Sequence, residues 1–406
     1  MTPPSALVAA AITTVAAAAT TAWSLRRVAS ATLVGDEYEY AAVATASPGP
    51  APFRRMPGYP WLLRRCGTLG RARAAGALGS IAATGAATVS AVHLAGGWPG
   101  LLAGIWMAVA AERVLLSARL WPDSLAAAGH AVLVAACLPG TAVHWSAAAG
   151  ACAALVLLRI DGAATTACVA VALWRTPWAA AAVGAAGAAA LVLASARRRV
   201  NGLAGPVDTT AWFNVRLAAE RLRDGRLPLE PDVARLAGTW AGEGDDQRAG
   251  EARAALSTLA RHPVLWGRQV LRRATVLLGP DTFGRHRLLP SYDPRPTSAL
   301  TVSLRVAVPA LVVLAAAGVA SGAAPALALY CGLQLLVLAL FHARTRFRAV
   351  LLPGFAALAA AGLEGLQSHP RMAVVGAACG LVLTTLGAIT DLERAGLPVR
   401  DVAQKV

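Results

Sequence analysis

Long apolar runs separated by short polar breaks fill most of this chain. The runs are Ser5–Trp23, Ala77–Leu94, Gly100–Leu116, Leu125–Val143, Ser146–Leu158, Ala163–Trp174, Trp178–Ala196, Leu304–Gly322, Ala324–Phe341, Val350–Leu366 and Met372–Ile389. Most approach the ~20 residues that carry a helix across a bilayer, and the fifth and sixth are shorter. In lipid a backbone must satisfy its own hydrogen bonds, so such runs are expected to be helices. The pattern predicts an all-α integral membrane protein with about eleven transmembrane helices. Ser5–Trp23 lacks a basic leader and is followed by many further runs, so it reads as an uncleaved first helix.

Two polar stretches interrupt the alternation, Arg26–Arg73 and Arg197–Ser298. They divide the chain into an N-terminal transmembrane module (1–196) with a first loop over 26–75, a helical insertion (197–300) and a C-terminal transmembrane module (301–406). Within the insertion, Asp208 to Asp224 reads as a helix capped by Asp208 and stopped by Gly225. Ala252–Leu259 and Pro263–Leu278 read as amphipathic helices, the second with Pro263 near its first position. Its Leu265, Trp266, Val270 and Leu271 stand against Arg268, Arg272 and Arg273, a composition suited to a membrane surface.

If the N-terminus is cytoplasmic, an odd number of spans places both polar stretches outside. The turn Arg119–Asp123 and the loop Ala343–Arg348 then fall on that same extracytoplasmic side. Charge bias alone favours the opposite orientation, because the Arg-rich loops would lie outside. Attraction of those arginines to anionic headgroups and phosphates is one resolution.

Composition removes the soluble classes. Hydrophobic residues make up 57% of 406 and charged ones 14%, against about 25% charged in an ordinary soluble domain. The net charge of +16 is carried mainly by arginine. Biased Arg and Ala usage accounts for most of that, and no nucleic-acid partner is expected. The six cysteines form no CxxC pair and the seven histidines no HExxH, so neither a disulfide framework nor a zinc site is legible.

Four polar clusters carry candidate chemistry. Asp36 and Glu37 stand in Gly-Asp-Glu-Tyr-Glu-Tyr soon after the first run, where a carboxylate can act as a general base. Phe53 to Trp61 joins Arg54 and Arg55 to a Pro-Gly-Tyr-Pro turn containing Tyr59. These arginines suit bidentate phosphate binding, and the aromatics suit an interfacial anchor equally well. Glu112 and Arg113 lie inside the third run, where ionisable groups are costly, and they are natural partners for each other. Asp123 closes Arg119-Leu120-Trp121-Pro122-Asp123 and reads either as a helix cap or as a site acid. Arg344, Arg346 and Arg348 form a strongly positive turn between the ninth and tenth runs, which punctuates topology or binds an anion.

The order of these motifs resembles the GT-C superfamily of membrane glycosyltransferases. The nearest branch holds protein O-mannosyltransferases and aminoarabinose lipid A transferases. The resemblance is specific at Asp36–Trp61, Arg119–Asp123 and Arg344–Pro353 and looser in the insertion. It implies sugar transfer from a polyprenyl-phosphate carrier to an acceptor hydroxyl on a glycan, lipid or protein, with inversion. Asp36 matches the catalytic base, Glu37 its usual neighbour and Asp123 a second acid. Arg54, Arg55, Tyr59, Arg344, Arg346 and Arg348 match the groups that meet the donor phosphate. Phe347 stands where relatives usually carry tyrosine, and the insertion is small for the branch. No cofactor is firmly implied, although Asp36, Glu37 and Asp123 together are able to recruit a divalent cation. The principal alternative is a transporter or flippase of an anionic lipid or glycolipid; the lack of visible internal repeats counts against it. A catalytically inactive scaffold of the cell envelope is a third reading.

Overall fold

A computed structural model describes residues 3–28, 33–45, 56–140, 145–159, 161–200, 209–242, 245–280, 288–292, 298–341 and 345–394. Among the described residues all regular structure is helical. Every apolar run of the sequence forms a helix. They are α1 (Ala6–Val28), α4 (Leu69–Ala95), α5 (Gly97–Val109) with α6 (Ala111–Ser117), α7 (Asp123–Ala136), α8 (Trp145–Leu158), α9 (Gly162–Ala172), α10 (Pro177–Val200), α15 (Ser298–Ala320), α16 (Pro325–Ala339), α17 (Leu352–Ser368) and α18 (Pro370–Arg394). Five of these, α1, α4, α10, α15 and α18, are long and apolar enough to cross a membrane, and a sixth is counted if α5 and α6 are one broken span. Their length and composition mark a membrane protein.

The polar stretches are helical too. The first loop holds α2 (Glu37–Thr45) and α3 (Gly58–Cys66), neither of which has an apolar run to announce it. The insertion holds α11 (Thr209–Ala219), α12 (Glu230–Gly242), α13 (Asp245–Arg261) and α14 (Pro263–Leu278). The last has the bounds expected from sequence. α11 stops before Asp224, and Gly225 in the following turn takes φ +65, a left-handed conformation that glycine adopts without strain. α12 is unforeseen, α13 is longer than predicted, and the expected cap Asp208 lies outside the described residues. A small core of Leu217, Val233 and Leu236 joins α11 to α12. A second, of Ala218, Leu222 and Leu259 with Leu265, Trp266 and Phe341, ties the insertion to the bundle.

Successive helices run back and forth, so the bundle has two ends. At one end Gly97 abuts Pro4. At the other, the Tyr292 hydroxyl donates to the Leu115 carbonyl at 2.8 Å and lies 3.3 Å from the Ser24 hydroxyl. α17 runs through the middle, buried continuously from Leu352 to Gly362. Small residues let its neighbours reach its backbone. A Cβ added at Gly362 would lie 2.0 Å from the Leu314 carbonyl of α15, and one at Gly318 would lie 2.2 Å from the Leu358 carbonyl of α17. Such contact is how apolar helices associate where lipid supplies no hydrophobic drive.

The third apolar run is broken. α5 and α6 meet at 53° around Ala110, which frees backbone groups that must be satisfied locally. The Ala108 carbonyl accepts from Arg113 Nε at 3.2 Å and from Thr20 Oγ1 at 3.0 Å. Arg113 also donates to the hydroxyls of Thr21 and Ser80 at 3.0 and 2.9 Å, and the Ala111 amide donates to Ser303 Oγ at 3.1 Å. The negative end of the α5 dipole is therefore what Arg113 faces. The expected Glu112–Arg113 pair does not form. Glu112 pairs with Arg348, because both Glu112 and Arg113 lie within α6, where consecutive side chains diverge by about 100° and do not face each other.

Candidate active site

The candidate residues that are described gather at the end of the bundle that carries the first loop and the insertion. Gly35, at φ +56, starts a tight turn in which the Glu37 amide donates to the Val34 carbonyl at 3.2 Å. Glu37 then folds back on this turn. Its Oε2 accepts from the Val34 amide and from Arg119 Nη1, and its Oε1 from the Leu120 amide, each at 2.9 Å. Both side chains of the Glu37–Arg119 pair are fully buried. Arg119 lies 4.7 Å from the centre of the Tyr292 ring and also donates to Ser291. The first loop is thus clamped to the junction of α6 and α7, and Glu37 has no oxygen turned outward. Glu37, grouped in the sequence with the catalytic acids, is placed where it braces the turn that carries its neighbour.

That neighbour, Asp36, remains 35% exposed at its side chain and is bound by Arg346 Nη2 at 2.9 Å. Arg346 belongs to a 3-10 helix, Thr345–Val350, leading into α17. Its guanidinium sits 4.7 Å from the centre of the Trp121 ring and 5.2 Å from that of Phe347, within cation–π range. Three segments far apart in the chain, at Asp36, Trp121 and Arg346, therefore meet. Arg348, two residues on, points the other way. It is fully buried, donates to Glu112 Oε2 from Nε at 2.8 Å, and also donates to the carbonyls of Leu277 and Gly279. A guanidinium so engaged ties α6 and α14 to the 3-10 helix ahead of α17, and among the described residues it is not brought to Asp36 with Arg346.

Asp123 is the first residue of α7, and its side chain does not cap that helix. It pairs with Arg159, which bridges it to Asp161 at 2.8 Å. Gln334 of α16 donates to Asp161 at 3.4 Å. Burial alone would pull the Arg159 guanidinium down, but Asp161 and Asp123 more than offset this and hold it above its ordinary range. Burial likewise pushes Asp161 up, and Arg159 overrides it, leaving that carboxyl below the usual range. Asp36, Glu37 and Asp123 are each held by a different arginine. Among the described residues they do not converge as a ligand set for one cation.

Tyr59 is brought in by α3. Gly58 permits this, because a Cβ there would stand 2.8 Å from the Leu157 carbonyl of α8. The Tyr59 ring meets Tyr40 edge to face at 5.0 Å, and its buried hydroxyl has no hydrogen-bond partner among the described residues. Burial first, then the proximity of Tyr40, Asp123 and Glu37, raises its phenol well above the ordinary value. Tyr59 therefore lies beside the acids as a neutral hydroxyl. Arg54, Arg55 and Arg344 lie outside the described residues.

Sequence reasoning missed Arg119, Arg159, Asp161 and Tyr292 as supports of the site. Arg159 and Asp161 carried a signal, since they are charged residues between two apolar runs. No protein-family model matches the chain, and no curated protein matches it.

Proposed function

We propose that this protein is a multi-pass membrane glycosyltransferase. In this reading the apolar helices cross the membrane as about eleven spans, and the Asp36–Arg346 end faces the extracytoplasmic side. The enzyme takes a sugar from a polyprenyl-phosphate carrier and passes it to an acceptor hydroxyl on a cell-envelope glycan, lipid or protein, with inversion. The observation that carries the reading is the meeting of Asp36 and Arg346 at 2.9 Å, from opposite parts of the sequence. A partly exposed carboxylate beside a partly exposed guanidinium supplies the two groups that such a transfer needs.

Asp36 removes the proton of the acceptor hydroxyl as its oxygen attacks the anomeric carbon. The bond from that carbon to the phosphate oxygen breaks, and its electron pair leaves on the carrier phosphate. Arg346, stacked on Trp121, stabilises the charge that builds there. In the resting site Arg346 holds Asp36. A bound phosphate competes for that guanidinium and releases the carboxylate for base chemistry. Glu37 and Arg159 act indirectly, by fixing the turn of Asp36 and the carboxylate of Asp123.

Asp36→Asn is expected to abolish transfer from a radiolabelled polyprenyl-phosphate sugar while expression and carrier binding persist. Normal transfer by that variant removes Asp36 as the base. Arg346→Ala is expected to weaken donor use, raising the donor concentration needed for half-maximal transfer, and an unchanged donor dependence would count against that role. One observation favours a second reading, a flippase of an anionic lipid: the broken α5–α6 pair with Glu112 and Arg113 at its break, since discontinuous helices are common in transporters. Translocation of labelled carrier in proteoliposomes without acceptor, equally by wild type and Asp36→Asn, would establish that reading over the first.

A further inference from the structure

α14 presents three faces. One packs on the bundle: the Trp266 indole donates to the Leu340 carbonyl at 3.0 Å, Arg273 donates to the same carbonyl at 3.1 Å, and Trp266 stacks on Phe341. A second meets the insertion: Gln269 donates to the Arg226 carbonyl at 2.7 Å and Arg272 to the Gly225 carbonyl at 2.8 Å. The third, spaced at one helical face, holds Val264, Gly267, Arg268 and Leu271 and touches neither. Val264 is 75% exposed and Leu271 68%.

The direction of α14 says where this third face lies. Its middle, from Trp266 to Arg273, reaches Leu340, at the end of α16. Its C-terminal Gly279 sits against Gly387, near the end of α18. α16 and α18 are separated by the single antiparallel passage of α17, so these two ends lie on the same side of the bundle. α14 therefore crosses the bundle at that side, bridging helix ends. The surface it approaches on α18 is apolar and open, with Leu383, Leu386 and Ile389 exposed around Gly387 on a helix that qualifies as a span. Arg261 and Arg268, both exposed, flank the apolar pair.

We propose that the third face of α14 rests in the headgroup–acyl boundary of a bilayer containing anionic phospholipid. Val264 and Leu271 enter the acyl edge, and Arg261 and Arg268 bind lipid phosphates above it. Open apolar side chains, continuous with a lipid-facing span and bordered by cations, match an interfacial helix rather than a solvated one. The inference stands independently of the chemistry assigned to Asp36.

The test uses the full chain in nanodiscs. A spin label is placed on Leu271→Cys, on Val264→Cys and, as a solvated control, on Arg253→Cys of α13, with Cys66 and Cys379 changed to Ser. Positions 264 and 271 are expected to relax more with oxygen than with an aqueous nickel chelate, and position 253 the reverse. Stronger relaxation by the chelate at 271, or protection from both agents as under a protein partner or second copy, overturns the proposal. A fluorophore at 271 should also be quenched more by headgroup-labelled phosphatidylglycerol than by equally abundant labelled phosphatidylcholine. The preference should drop roughly fivefold per charge removed at low salt in Arg261→Gln and Arg268→Gln. Equal quenching by both lipids in the unsubstituted protein refutes the anionic component.

Discussion

Glu37→Gln is the most direct probe of how the site is held. The substitution keeps the shape of the side chain and removes its charge. Three donors now converge on that carboxylate, from Val34, Leu120 and Arg119, and both members of the ion pair are fully buried. The amide offers one acceptor oxygen in place of two, turns an N–H toward a donor, and leaves the Arg119 guanidinium facing a neutral group. Removing one partner of a buried pair costs about 3–5 kcal/mol, a large share of a total folding stability on the order of 5–15 kcal/mol. Combining Glu37→Gln with Arg119→Met removes both charges, and a pair so replaced is often neutral or better. The double variant should therefore recover much of the loss, with a coupling of roughly 2 kcal/mol or more. Thermal unfolding of the purified chain in detergent reads both effects. If Glu37→Gln unfolds at the wild-type midpoint, the clamp is not structural. If it also fails to transfer sugar, Glu37 acts in the chemistry and the positioning role assigned to it is wrong.

Other expectations follow from the packing and the ion pairs. Gly362→Ala should lower the unfolding midpoint clearly, because its new methyl would meet the Leu314 backbone at 2.0 Å and one of two helices must move; an unchanged midpoint would contradict the backbone contact of α15 with α17. The depressed Asp161 carboxyl should add a pH dependence of known sign. Its contribution is fully present above the unfolded carboxyl value of about 4, and is lost as pH falls through the lower folded value. Acid unfolding of Asp161→Asn should therefore show a shallower slope at that low-pH end than wild type, and equal slopes would remove the Arg159 bridge as its cause.

The helical state of the apolar runs was legible in the sequence, since each from Ser5–Trp23 to Met372–Ile389 is helical, the third as the two helices α5 and α6. Pairing was not. Glu112 stands beside Arg113 in sequence yet binds Arg348, 236 residues away, because adjacent side chains of α6 point to different neighbours and Arg113 turns to Thr21 and Ser80. The break at Ala110 lies within one uninterrupted apolar run, and the Ser303 hydroxyl that helps satisfy it comes from another part of the chain. The acids at Asp36 and Asp123 were visible as motifs, but the exposed acid and the buried one, Glu37, are adjacent and alike on paper. Only the three donors closing on Glu37 separate their roles. α2 and α3 escaped notice because they are short and amphipathic at most, and are held by tertiary contacts such as Gly58 against Leu157.

The contact between Asp36 and Arg346 spans 310 positions of chain. During synthesis the acid leaves the ribosome early, and its counter-ion arrives only at residue 346 of 406. Until then the two groups cannot meet, and Asp36 is without the guanidinium that binds it in the finished fold. A chain that ends or stalls before position 346 therefore lacks this contact, however well its earlier helices pack.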